Sequence, residues 1–230
     1  MKRWIGVLMT LVMLLSNALA AERFRPRDMQ DAQEKALVLA QLCAFGSEYG
    51  EEHPLARWEQ PLRIYVGGEP TQADLDKLDE FLLDLKANVP CMPEAFRVSH
   101  EVDANVRIYY VPLERMGDYL EDYQPGNWGF VTYWYNGSLE IYQMKIAIAS
   151  DVTDQKERNH LLMEEMVGGL GLCIDHEVYS DSILYQPWTT TQMLSVVDWL
   201  MLEMIYHPDV HSNMTREEFG RVTRQRIYSE

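Results

Sequence analysis

Residues 158–176, which run RNHLLMEEMVGGLGLCIDH, constrain this chain more than any other stretch. On a helix, Leu162, Met166, Val167 and Leu170 recur at helical spacing and form one apolar face, while His160 and Glu164, four apart, project together beside it. Gly168, Gly169 and Gly171 are poor helix formers, so the helix is expected to end near Gly171. An ordinary core helix has little use for three glycines. Glu164 and Glu165 point about 100° apart on such a helix, so only one of them is expected to face a shared ligand directly.

The stretch resembles the active-site helix of metzincin-type zinc peptidases, whose pattern is HExxHxxGxxH. In that register the pattern begins at Glu164, its general base falls on Glu165 and its turn glycine on Gly171. The three zinc-ligand positions fall on Glu164, Gly168 and Ile174, and only Glu164 offers a donor. The chain is also similar, from Phe45-Gly46-Ser47-Glu48 to the last helix, to a family of secreted bacterial proteins called domain of unknown function 2927. That family carries a Glu-Glu, Leu-Gly-Leu and Asp in this arrangement. The resemblance implies an α+β, zincin-like fold and no established activity.

At the N-terminus, Lys2 and Arg3 precede an apolar run, Trp4 to Leu15, too short to span a bilayer, and Ala18-Leu19-Ala20 supplies small residues for cleavage. A signal peptide over 1–20, cut after Ala20, predicts a periplasmic or secreted product with no later transmembrane segment. Residues 21–230 suit one domain, with 21–50 as a helical appendage. The formal charge is −16, and losing Lys2 and Arg3 makes it more negative still. This acidity argues against nucleic acid and anionic lipid as partners, and favours basic ones.

Three cysteines in an oxidising compartment allow one disulfide. Cys43 to Cys91 is the preferred bridge, tying the first helix to the end of the second, with the other two pairings open. Cys173 reads as buried filling.

Arg27 to Gly46 has a helical pattern with Ala36, Leu39, Ala40 and Cys43 on one side. Leu62, Ile64 and Val66 alternate as a strand before Gly67-Gly68. Thr71 caps a helix from Ala73 to Asn88, with Leu75, Leu78, Leu82 and Leu85 on one face. Val106, Ile108 and Tyr110 give another strand, which suggests a crossover unit in a mixed sheet. Residues 130–135 and 138–143 flank Asn136-Gly137, the signal of a hairpin closed by a two-residue turn. Its aromatics, Tyr133, Trp134, Tyr135 and Tyr142, read as cross-strand packing ahead of a ligand edge. Asp154 caps the central helix. A long apolar helix from about Thr191 to Tyr206 buries Asp198, which needs a hydrogen-bonding partner. Thr215 caps the final helix.

Three functional readings follow. The favoured one is an exported non-peptidase that keeps a metzincin-like fold, with no resident cofactor, and whose cleft, involving Glu164, Asp175, Asp181 and Tyr185, binds a peptide or protein partner or serves only as structure. The second is a metal-dependent hydrolase in which His160, Glu164, Asp175 and His176 form an unconventional divalent-ion site. The third is a metal-free enzyme pairing Glu165 with Asp175 or Asp181. Glu165 is the one catalytic candidate common to the peptidase pattern and the carboxylate reading.

Overall fold

The computed structural model describes residues 27–46 and 51–229, so the signal peptide expected over 1–20 lies outside the described residues. The elements in order are α1 (Met29–Cys43), β1 (Arg57–Trp58), β2 (Leu62–Gly68), α2 (Gln72–Asn88), β3 (Ala95–Arg97), β4 (Val106–Val111), β5 (Gly129–Tyr135), β6 (Glu140–Ala149), α3 (Gln155–Gly169), α4 (Val196–Ile205) and α5 (Arg216–Ile227). They form an α+β protein around a mostly parallel six-stranded sheet. Strands β3, β2, β4 and β6 lie side by side and parallel, and the short β1 also pairs parallel with β6. β5 alone runs antiparallel, along the edge of β6. Ile146, Ala147, Ile148 and Ala149 are all buried, so the end of β6 is covered on both faces, as an apolar run without alternation requires.

Local chemistry sets the helix starts. Thr71, Ser195 and Thr215 each form a reciprocal capping box with an acid three residues on, and Asp154 caps α3 through the Lys156 amide. Ser195 therefore starts α4 four residues later than the apolar pattern suggests. The buried face of α2 is Asp74, Lys77, Leu78, Phe81 and Leu85, rotated from the expected leucine row. Asp74 is drawn inward by a buried ion pair with Arg158 of α3. The hairpin between β5 and β6 is present, but its turn is longer than two residues. Leu139 donates to the Asn136 carbonyl and takes the positive φ of 57°, while the Asn136 side chain accepts from the Ser138 and Glu140 amides.

In α1, Ala36, Leu39, Ala40 and Cys43 are fully buried, and the helix packs on α4 and α5. This burial also decides the expected bridge from Cys43 to Cys91, which is not formed. Cys43 points into the core, and its carbonyl accepts from the Ile174 amide. Cys91 is exposed in the turn that leads to β3, a strand at one margin of the sheet.

α3 lies on β5 and β6 and beside α2. Its C-terminal carbonyls, which lack partners within the helix, are met by the Trp58 indole N–H at Gly169 (3.0 Å) and the Tyr206 hydroxyl at Leu170 (2.8 Å). Gly171 then turns the chain with φ of 110°. Gly169 serves close packing: a Cβ there would stand 1.8 Å from the Met144 sulfur of β6. Replacing Gly169 with Ala is expected to destabilise the protein by about 1–3 kcal/mol through overpacking, although Ala is the better helix former by about 1 kcal/mol. Urea unfolding measures the sign, and a stabilised variant would show that the contact is looser than described.

Candidate functional site

The sheet edge and α3 enclose a cleft of about 1190 Å³. One wall is β5 with the segment leading into it; the other is the row Glu157, Leu161, Glu164 and Gly168 along α3, with Glu165 beside it. Leu172, Cys173, Asp175, Gln186 and Trp188 close the far side, and His53 and Asp122 stand at the margins. Five carboxylates, Asp122, Glu157, Glu164, Glu165 and Asp175, thus line one cavity.

Both glutamates of the central pair reach this cleft, in contrast to the expectation from their angular separation. The cavity wraps around the edge of α3, so Glu164 continues the row from Glu157 while Glu165 turns toward the start of β5. A Cβ on Gly129 would meet Glu165 Oε1 at 2.6 Å, so the carboxylate lies directly against the strand backbone. Of the other expected cleft residues, Asp175 is in the lining, whereas Asp181 and Tyr185 are outside it. Asp181 accepts from Ser180, and Tyr185 forms an isolated bridge with His176.

β5 presents more than side chains. Ala149 donates to the Trp128 carbonyl, and Met144 donates to Asn105 on the opposite side of β6. With the observed register, the backbone groups of Phe130, Thr132 and Trp134 are therefore the ones engaged with β6. Those of Gly129, Val131 and Tyr133 face outward, and among the described residues β5 pairs with no other strand.

The four metal-ligand candidates are divided. His160 is buried, with Nδ1 2.8 Å from the Thr191 carbonyl and Nε2 3.6 Å from Glu164 Oε2. A carbonyl only accepts, so Nδ1 carries the proton and Nε2 faces the carboxylate. Burial holds the imidazole below its usual pKa despite that bond. His176 is buried elsewhere, and its Nδ1 accepts from the Val178 amide at 3.3 Å. Among the described residues no group of three or more His, Cys, Asp or Glu side chains is arranged to hold a metal ion. The zinc pattern fails the same test on chemistry: in its register Gly168 faces the cleft without a side chain, and Ile174 is a hydrocarbon. These residues do not fit a zinc ion held in the peptidase manner.

Other polar groups near the motif are structural. Asp198 is fully buried and accepts from the Ser182 hydroxyl (2.6 Å) and the Ile183 (3.1 Å) and Ser195 (2.8 Å) amides, so it locks the segment after the central motif onto the start of α4. The Cys173 thiol donates to the Gly46 carbonyl at 2.7 Å and accepts from the Tyr133 hydroxyl at 3.1 Å. On the hairpin, Tyr133 and Tyr135 line the cleft, whereas Trp134 packs beneath Lys145.

Sequence reasoning missed Glu157, Asp122, Trp128 and Trp188. Glu157 is on the same helical row as Glu164, seven residues earlier, and that spacing could have found it. The other three lie in irregular segments and leave no periodic signal.

Fold and site together describe an α+β protein with an acidic cleft beside a sheet edge that no other described strand covers. The chain belongs to the family described as protein of unknown function (DUF2927), which matches residues 41–225. No significant match is found among curated proteins.

Proposed function

We propose that this is an exported protein with a zincin-like scaffold whose catalytic centre is degenerate, and that its cleft binds an extended peptide or a partner's extended segment without cleaving it. The observation that carries this reading is the outward-facing backbone of Gly129, Val131 and Tyr133 above α3. An extended chain placed there adds a strand to β5 through main-chain hydrogen bonds, and alternate side chains drop into the cleft. The antiparallel edge over a glycine-terminated helix supports the zincin comparison, and the donor-poor positions Gly168 and Ile174 support loss of zinc hydrolysis. Export rests on the N-terminal sequence.

The test uses an acetylated, amidated heptapeptide of alternating Val and Thr with a central Arg, titrated by calorimetry. Val131→Pro removes one outward N–H without touching the ladder to β6, and is expected to weaken binding at least tenfold. Undiminished binding by that variant would remove the strand-addition reading. Zinc-dependent cleavage of a protein substrate, abolished by Glu165→Gln, would remove the non-peptidase reading.

A further inference from the structure

Two tryptophans stand at the cleft with large exposed surfaces. Trp128 is 39% exposed just before β5, and Trp188 is 57% exposed in the segment after the central motif. Their rings are 5.4 Å apart and inclined at 78°. Neither ring belongs to the hydrophobic core, and both line the cavity. Trp188 also lies edge-on to His160, with centroids 6.1 Å apart, and His160 Nε2 is 3.6 Å from the Glu164 carboxylate. The aromatic corner is thus joined through one imidazole to the acidic row of α3. Glu157, one turn before His160, is on that row and is only half-buried.

We infer that the corner formed by Trp128 and Trp188 and the row of Glu157 and Glu164 receive an arginine side chain of the bound peptide. This rests on the peptide-binding reading above and names the residue that gives the cleft its preference. A guanidinium is planar, weakly hydrated and permanently charged, so one indole face takes its plane while a carboxylate takes its charge. Charge complementarity selects this occupant: five carboxylates line the cavity, and the whole chain carries −16. A neutral glycan is the competing ligand for exposed tryptophans. Sugar rings stack on an open aromatic face, however, whereas rings at 78° make a corner that suits a compact cation. The acidic lining adds nothing for an uncharged sugar.

The heptapeptide with a central Arg is compared with a twin carrying citrulline, which keeps the shape and removes the charge. The Arg peptide is expected to bind at least tenfold more tightly and to change tryptophan fluorescence. Trp188→Ala and Glu157→Gln should each reduce that preference at least threefold, and Trp188→Phe should retain most of it. Circular dichroism confirms that the variants are folded. Equal binding of the two peptides, both lost in Val131→Pro, overturns the arginine site and leaves strand addition intact. Binding of neither peptide overturns both. A tetramer of N-acetylglucosamine that binds through Trp188 while the Arg peptide does not would assign the corner to a glycan and overturn the inference.

Discussion

Replacing Arg158 with Met is expected to destabilise the protein by about 3–5 kcal/mol, the largest effect of any single change considered, because it leaves a carboxylate buried without its counter-charge. The Arg158 guanidinium forks onto both oxygens of Asp74, with side-chain exposures of 4% and 0%, and also donates to the Ser150 carbonyl at 2.8 Å. It stacks over the Tyr110 ring at 4.9 Å. One residue thus ties α3 to the start of α2 and to the end of β6, and so fixes the helix that lines the cleft. Arg158→Lys keeps the charge but loses the fork and the stacking, and should recover only part of the loss. Adding Asp74→Asn to Arg158→Met removes the orphaned charge and should restore part of the stability. Burial pushes the Asp74 carboxyl upward, but bonds from Arg158, Gln155 and Thr71 outweigh it and hold the pKa below the usual range. The stabilisation from Asp74 is therefore present above the unfolded-state pKa and lost as pH falls through the lower folded one. Denaturant midpoints for the three variants and the parent test this, and an Arg158→Met protein as stable as the parent would refute it.

The second large effect is an acid-side loss of stability centred on His176. Its ring is 3% exposed, and burial pushes its pKa down to about 4. Nδ1 already accepts from the Val178 amide, and Nε2 has no hydrogen-bond partner among the described residues. A second proton would have to displace that amide and would put a charge in a buried site. The unfolded chain protonates near 6.5, so below that pH it binds more protons than the folded one. The contribution is whole above pH 6.5 and falls as pH drops toward 4, by roughly 3 kcal/mol in all at 1.36 kcal/mol per unit. His176→Phe should flatten this part of the curve at a cost of about 1 kcal/mol at neutral pH for the lost Val178 bond. Urea unfolding at pH 7.5 and pH 5 for both proteins is the measurement. Parallel losses would assign the acid sensitivity to other groups.

What could be read from the chain follows the strength of local signals. Thr71, Asp154 and Thr215 announce their helices because a cap is a short-range hydrogen bond, and the alternation at Leu62, Ile64 and Val66 marks a half-covered strand. Ser195 and Asp198 carry the same capping pattern, but an apolar run extending N-terminally concealed it. β1 and β3, at two and three residues, are too short to show a period. The candidate site was legible where one helix carries it, at Glu164, Glu165 and the terminal glycines. His160 and His176 share that stretch, yet tertiary packing buries them in separate environments. Trp128 and Trp188 lie 60 residues apart in sequence and meet only because β5 and the segment after the central motif flank the same cavity.

Among the described residues β3 and β5 each stand at a margin of the sheet with no further strand paired outside them. β3 offers three residues; β5 has seven, with α3 packed against it and the acidic cavity alongside. A lone flexible segment fits between α3 and that edge more readily than a neighbouring sheet does. Charged side chains beside a strand edge are one means by which proteins discourage fibrillar self-association, and the carboxylates of this cavity stand where they would act in that way on β5.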